Sequence, residues 1–166
     1  MIKIGITGGN GFVGQHLLNT LSQNKNIALI PFDRAYFEHA TKLDNFVKNC
    51  DVIVHLAGLN RSNDEEVIFN VNIGLAKTLI SSLDRSVNKP HIIFASSTQE
   101  CLSNVYGNSK KTSRLIFRDW SLSNNSVFTG LIIPNVYGPF GNPFYNSFIS
   151  TFCHQLINDQ TPIIKN

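Results

Sequence analysis

Tyr106 and Lys110 stand four residues apart in a stretch with helical spacing, which sets a phenol and an ammonium on one face about a turn apart. An ammonium beside a phenol favours the phenolate and makes it a better acid–base at neutral pH. Ser97 brings a hydroxyl to the end of an apolar run, nine residues before Tyr106. A second pattern suits an anion. Thr7-Gly8-Gly9-Asn10-Gly11-Phe12-Val13-Gly14 follows an apolar run and opens a helical one. Without side chains at Gly8, Gly9 and Gly11 the backbone can turn tightly and approach a ligand. The amides opening the helix, Phe12, Val13 and Gly14, then face that ligand with the positive end of the helix dipole behind them. Alone, such a string is as often a plain tight turn. Here Asp33 lies nineteen residues past Gly14, after a second apolar run, where an acid can hold an adenosine ribose. Asp33 repels a ribose 2′-phosphate and Arg34 would accept one, so the pair leaves NAD and NADP both open.

These residues need a scaffold of alternating strands and helices. Apolar runs predict strands at 2–6, 27–32, 51–58, 91–95 and 127–133, with helices at 12–21, 43–50, 64–83, 106–122 and 148–157. The pattern predicts one α/β domain over 1–166, a doubly wound parallel sheet in the order 2-1-3-4-5. At most a short edge strand is added at 36–38. The cofactor should then cross the carboxyl end of strand 1. Leu56, Ala57 and Gly58 close the third strand, and the small residues there let a cofactor lie against the backbone. His55 reads as a packed core histidine. The hydrophobic fraction of 42% and charged fraction of 15% are ordinary for a globular protein. A net charge of +3, scattered along the chain, makes no case for nucleic acid or a membrane surface. Cys50, Cys101 and Cys153 lack any C-x-x-C pairing, so neither a metal site nor a disulfide framework is expected. Strand 1 begins at the second residue and no apolar run reaches spanning length, which predicts a cytoplasmic protein.

The Gly-rich string resembles the fingerprint of the extended short-chain dehydrogenase/reductases, the NAD-dependent epimerase/dehydratase family, whose fold is an NAD(P)-binding Rossmann domain. Residues 51–58 are similar to its D-x-V-x-H-L-A-G strand, 70–74 to its N-V-N-G-T helix, and 135–139 to its N-V-Y-G-P loop, although Ile132 stands where an arginine is usual. The resemblance implies that Asn70 positions Lys110 through water, that Pro134 meets the nicotinamide, and that Ser97, Asn135 and Asn146 meet the substrate. The strings 55–61, 96–99 and 144–153 resemble the capsular polysaccharide UDP-sugar reductases of UDP-N-acetyl-L-fucosamine synthesis. That likeness implies hydride transfer from NADPH to a UDP-4-keto-6-deoxy sugar. Tyr106 would donate the proton, Lys110 would tune Tyr106 and hold the ribose, and Ser97 would bond the carbonyl oxygen. A nucleotide-sugar 4-epimerase and a non-catalytic NAD(P)-binding module are the alternatives. Members of the family continue into a substrate subdomain, so 1–166 is expected to bind dinucleotide with little turnover. Family pairing of the helices at 64–83 and 106–122 implies a homodimer, with Ile68, Ala76, Leu79, Ile80, Leu115, Ile116 and Trp120 as apolar contacts.

Overall fold

β1 (Ile2–Thr7) lies between β2 (Ile27–Ile30) and β3 (Val52–His55), followed outward by β4 (His91–Ser97) and β5 (Phe128–Ile133). This computed structural model describes residues 1–145 and 147–162. The order β2-β1-β3-β4-β5 is the expected one, and β1 pairs in parallel with both neighbours, as β3 does with β4. After β2 the chain reverses its direction of travel across the sheet. Right-handed crossovers therefore put α1 (Phe12–Ser22) on one face and α2 (Ala40–Lys48), α3 (Glu65–Arg85) and α4 (Val105–Ser123) on the other. The core lies under that second layer. Leu43, Phe46 and Val47 of α2, Ala76, Leu79 and Leu83 of α3, and Phe117 and Trp120 of α4 pack with Ile53, Ile92 and Phe94 of the sheet.

Capping explains where the helices begin. Asp64 accepts from the Glu66 amide at 2.9 Å to start α3, and Asn104 accepts from the Gly107 amide at 2.7 Å to start α4. Asp44 of α2 takes both a fork from Arg85 (2.8 and 2.7 Å) and the Ser82 hydroxyl (2.7 Å), which ties α2 to α3.

Here the structure departs from several of the sequence expectations, and β3 too stops short, at His55. β2 stops at Ile30, because Pro31 offers no amide to the ladder. Residues 34–38 form a short 3-10 helix, Arg34–Glu38, in place of an edge strand; Asp33 caps it by accepting from the Ala35 amide at 2.8 Å. Of the seven residues expected at a dimer face, Ile68, Ala76, Leu79 and Trp120 are buried within the chain itself, while Ile80, Leu115 and Ile116 are half-buried. Ala76, Leu79 and Trp120 belong to the core that packs with the sheet.

The chain divides into two compact units, 1–132 and 133–166. In the second, α5 (Phe148–Ile157) follows a loop that turns through positive φ at Phe140 (64°) and Phe144 (59°). At the sheet's outer end, Leu131 and Ile132 of β5 are exposed.

α2 crosses over β1 at Gly5, where a Cβ would stand 2.3 Å from the Phe46 ring and 2.6 Å from the Cys50 sulfur. Gly5→Ala should therefore cost about 1–3 kcal/mol of stability through overpacking, read from the urea midpoint at unchanged slope.

Candidate functional site

Thr7, His55 and Phe94 stand in one row across β1, β3 and β4, and the site lies just beyond their carboxyl ends. Thr7 Oγ1 and His55 Nδ1 share a 2.7 Å hydrogen bond, and Thr7 also receives the Leu56 amide on its carbonyl at 3.0 Å. The His55 ring stacks on Phe94 and meets Phe117 edge-on. Burial pushes its pKa down to about 3, with the Lys110 charge adding to the effect. His55 is thus a neutral core residue, as its setting in an apolar strand suggested. Past this row Gly8 turns at φ 77°, and a Cβ on it would come 2.6 Å from the Ala57 nitrogen. A Cβ on Gly14 would come 2.3 Å from the Gly8 oxygen, so the first turn of α1 rests directly on the loop. Gly11 is different. A Cβ there meets only the Gly8 oxygen, at 3.3 Å, and otherwise points into open space. The first helical bond runs from the Gln15 amide to the Gly11 oxygen at 2.9 Å, which leaves the Phe12, Val13 and Gly14 amides ahead of it. This arrangement fits a pyrophosphate. Asp33 and Arg34 are exposed at the turn after β2, with one Asp33 oxygen engaged by Ala35.

Lys110 is 6% exposed, its Nζ 4.4 Å from the centroid of the Phe94 ring. It also lies 4.0 Å from where a Gly58 Cβ would stand. Among the described residues neither Lys110 Nζ nor Tyr106 Oη has a hydrogen-bond partner. Burial lowers Lys110 to about 8, against the pull of the Glu100 carboxylate. Tyr106 is half-buried, and burial raises its phenol above the ordinary value. The expected depression by Lys110 is not seen: desolvation governs the phenol, and the ammonium sits over Phe94.

The asparagine that faces this site is Asn72. It is 5% exposed, accepts from the Leu59 amide at 2.7 Å, and donates to the Leu59 carbonyl and the Ser109 hydroxyl, both at 2.9 Å. Asn70 is exposed. Two residues along a helix turn the side chain to the far side, so only one of the pair can face α4. The signal was present: Asn72 is a polar residue on the stripe Ile68, Ala76, Leu79, Leu83. Ser97 accepts from the Gln99 amide at 3.2 Å and starts a second 3-10 helix, Thr98–Cys101. The Gln99 carbonyl then lies so close to α4 that a Cβ on Gly107 would come 2.0 Å from it.

Pro134 and Asn135 are exposed and belong to the second unit. Asn146 lies outside the described residues. The second unit has its own concavity of about 440 Å³, lined by Tyr137, Pro139, Phe140, Ile149, Cys153 and Ile157 among others. Among the described residues no cluster of three His, Cys, Asp or Glu stands where it could hold a metal ion, and no helix is long and apolar enough to cross a membrane.

Residues 4–166 match the family described as NAD dependent epimerase/dehydratase, and the chain belongs to it. A UDP-2-acetamido-2,6-beta-L-arabino-hexul-4-ose reductase of Pseudomonas aeruginosa (strain PA103) is 31% identical over 165 residues, which cover 99% of this chain and 44% of that protein. The chain thus spans less than half the length of the curated relative. The capsular polysaccharide assembling protein CapF of Staphylococcus aureus superposes with a TM-score of 0.79 at 27% identity, over 99% of this chain and 43% of that one. RMD from Pseudomonas aeruginosa, solved with NADPH, shares the fold with a TM-score of 0.83 at 20% identity, over 96% and 61% of the two chains.

A lysine drawn largely out of water with no anion bonded to it is a cost to folding. Lys110 titrates near 8 in the folded chain against 10.5 for the free side chain. Between those values the unfolded chain holds more protons, so the penalty is full below pH 8 and fades as pH rises towards 10.5. Lys110→Met should therefore stabilise the chain at pH 7, by on the order of 3 kcal/mol. Urea titrations at neutral and alkaline pH should show that gain shrinking as pH rises.

Proposed function

We propose that this chain is the cofactor-binding part of an NADP-dependent reductase acting on a UDP-4-keto-6-deoxy sugar in surface polysaccharide biosynthesis in the cytoplasm. The observation that carries the reading is Lys110, buried with no hydrogen-bond partner among the described residues, a turn after Tyr106 and beside Gly58, in a fold whose Gly-rich turn leaves the Gly11 side open. Lysine retained at such a cost points to a partner brought by a ligand. The name of the Pseudomonas relative supplies the substrate class, and the likeness to CapF supports it.

In this reading Gly8, Gly11 and the amides of Phe12, Val13 and Gly14 hold the pyrophosphate. Asp33 bonds the adenosine ribose through its free oxygen, and Arg34 takes the 2′-phosphate. Leu56, Ala57 and Gly58 give the dinucleotide a flat backbone wall, and Pro134 meets the nicotinamide. Lys110 donates to the ribose hydroxyls, which supplies the partner it lacks. A bound NADPH supplies the hydride that reduces the ketone carbon. Ser97 donates a hydrogen bond to the carbonyl oxygen, and Tyr106 gives its proton to that oxygen as negative charge develops on it, leaving an alcohol. Asn72, rather than Asn70, braces the Lys110 helix. Asn135 and Asn146 contact the sugar nucleotide. A homodimer through α3 and α4 is part of the proposal, with exposed Val67 and Val71 available on α3.

Calorimetry should find NADPH binding in the chain. Gly11→Val should weaken it at least ~10-fold with little loss of fold, because the added side chain occupies the pyrophosphate's space. Arg34→Ala should weaken NADPH while sparing NADH. Unaltered affinity in Gly11→Val would move the phosphate site elsewhere.

Turnover is followed by NADPH absorbance with an enzymatically prepared UDP-4-keto-6-deoxy-N-acetylhexosamine. The assay is run on the chain and on a version extended by the portion of the Pseudomonas relative that lies outside the match. Because the chain spans 44% of its relative, we expect binding with little turnover alone and NADPH oxidation in the extended version. Tyr106→Phe should slow that oxidation by roughly 100-fold or more. An epimerase would interconvert sugars with no net NADPH loss.

A further inference from the structure

The turn between Ser97 and Tyr106 carries a carboxylate that neither the fold nor the proposed reaction has yet used. Glu100, in the 3-10 helix Thr98–Cys101, has a side chain only 6% exposed. Arg114 of α4 forks onto it, Nε donating to its two oxygens at 2.8 and 3.1 Å and Nη2 to Oε2 at 2.6 Å. The Ser96 hydroxyl of β4 donates to Glu100 Oε1 as well. Ser96 is the neighbour of Ser97, and Arg114 stands one turn beyond Lys110. One carboxylate thus joins the strand that ends in Ser97 to the helix that carries Tyr106 and Lys110. We infer that Glu100 is a positioning residue of this site: it fastens the Ser97 turn to α4 and acts on Lys110 through its charge.

The inference rests on the reading of Ser97, Tyr106 and Lys110 as one site. Two further contacts fix the same turn, the Gln99 carbonyl over Gly107 and the Asn104 amide group on Gln99 Oε1 at 3.3 Å. Neither carries charge. The ionisable groups about Lys110 are Tyr106, Lys111 and Arg114 on its own helix, His55 on β3 and Glu100 on the turn. α3 presents the uncharged Asn72, and β4 presents Phe94. His55 is neutral at physiological pH. Burial alone would raise the Glu100 carboxyl, but the hydrogen bonds from Arg114 and Ser96 outweigh it and hold the group below its ordinary value. Glu100 is therefore ionised, and its attraction works against the burial that draws Lys110 down to about 8. A lysine kept partly charged can both hold a ribose and bear on a phenol.

The test reads Lys110 directly, in the chain as it is. Carbon-13 at lysine Cε is followed by NMR against pH, and the Lys110 signal is assigned by its loss in Lys110→Met. Charge action and mere loosening predict opposite signs. If Glu100 acts through its charge, Glu100→Gln should lower the Lys110 midpoint by about half a pH unit or more. If it is only a brace, a loosened turn admits water and the midpoint rises. The double variant Glu100→Gln/Arg114→Gln leaves no orphaned guanidinium but removes a cation along with the anion, so its midpoint should fall less than that of Glu100→Gln. Glu100→Asp, which keeps the charge, should bring it back towards the parent. A Lys110 midpoint that rises or stays put in Glu100→Gln would overturn the inference. The readout needs no dinucleotide, so loss of NADPH binding in the parent chain would count against the proposed function and leave this result standing.

Discussion

Gly8 turns with positive φ against the peptide that follows β3, so near that a Cβ on it would overlap the Ala57 nitrogen. That approach joins two segments about fifty residues apart in sequence, and the hydrogen bonds of Thr7 to His55 and Leu56 hold them in place. The first turn of α1 depends on it, because Gly14 packs on the same Gly8 carbonyl. Three amides at the head of α1 therefore come to face the carboxyl edge of the sheet. A side chain at either Gly8 or Gly14 would push the helix away and spoil the site from within the protein. At Gly11 the cost of a side chain falls on whatever sits outside. The two kinds of glycine share one motif and answer to different masters, one to the fold and one to the ligand.

Charge is treated in two ways in the same region. The Glu100–Arg114 pair is buried at the carboxylate, with every close oxygen contact satisfied. Lys110, a turn earlier on the same helix, is buried without a hydrogen bond among the described residues. Low dielectric makes the first arrangement tolerable and the second expensive. The family to which the chain belongs is NAD dependent by description, and a ribose bearing two hydroxyls is the sort of group that would relieve that expense.

Much of this was legible in the sequence because its signals are local. Apolar runs with Gly and Pro punctuation placed all five strands and their order, and the limits of α5 were foreseen to the residue. Errors arose where a residue's role depends on which way it points or on who arrives to meet it. Asn70 and Asn72 sit in one N-x-N string, and only the facing helix decides between them. Ile68, Ala76, Leu79 and Trp120 carry the spacing of a packed helix face, but spacing does not say whether the partner is the sheet or another chain. Tyr106 and Lys110 do share a helix, yet the state of the phenol follows from its burial, which no spacing reveals. Glu100 gave no signal because its meaning lies fourteen residues away, in Arg114.

The row Thr7, His55, Phe94 also sets the order in which the molecule can assemble. His55 lies 48 residues from Thr7 and 39 from Phe94, and Asn72 meets Ser109 across 37. None of these pairings can be made by a short loop, so their closure entropy must be met before the contacts give anything back. Helices can flicker into existence earlier, but the pocket edge cannot. Closure of that row therefore depends on contacts far apart in sequence, and the pocket edge is tied to the sheet as a whole. Occupancy by a dinucleotide would then act on the whole unit at once, slowing global opening rather than steadying one loop.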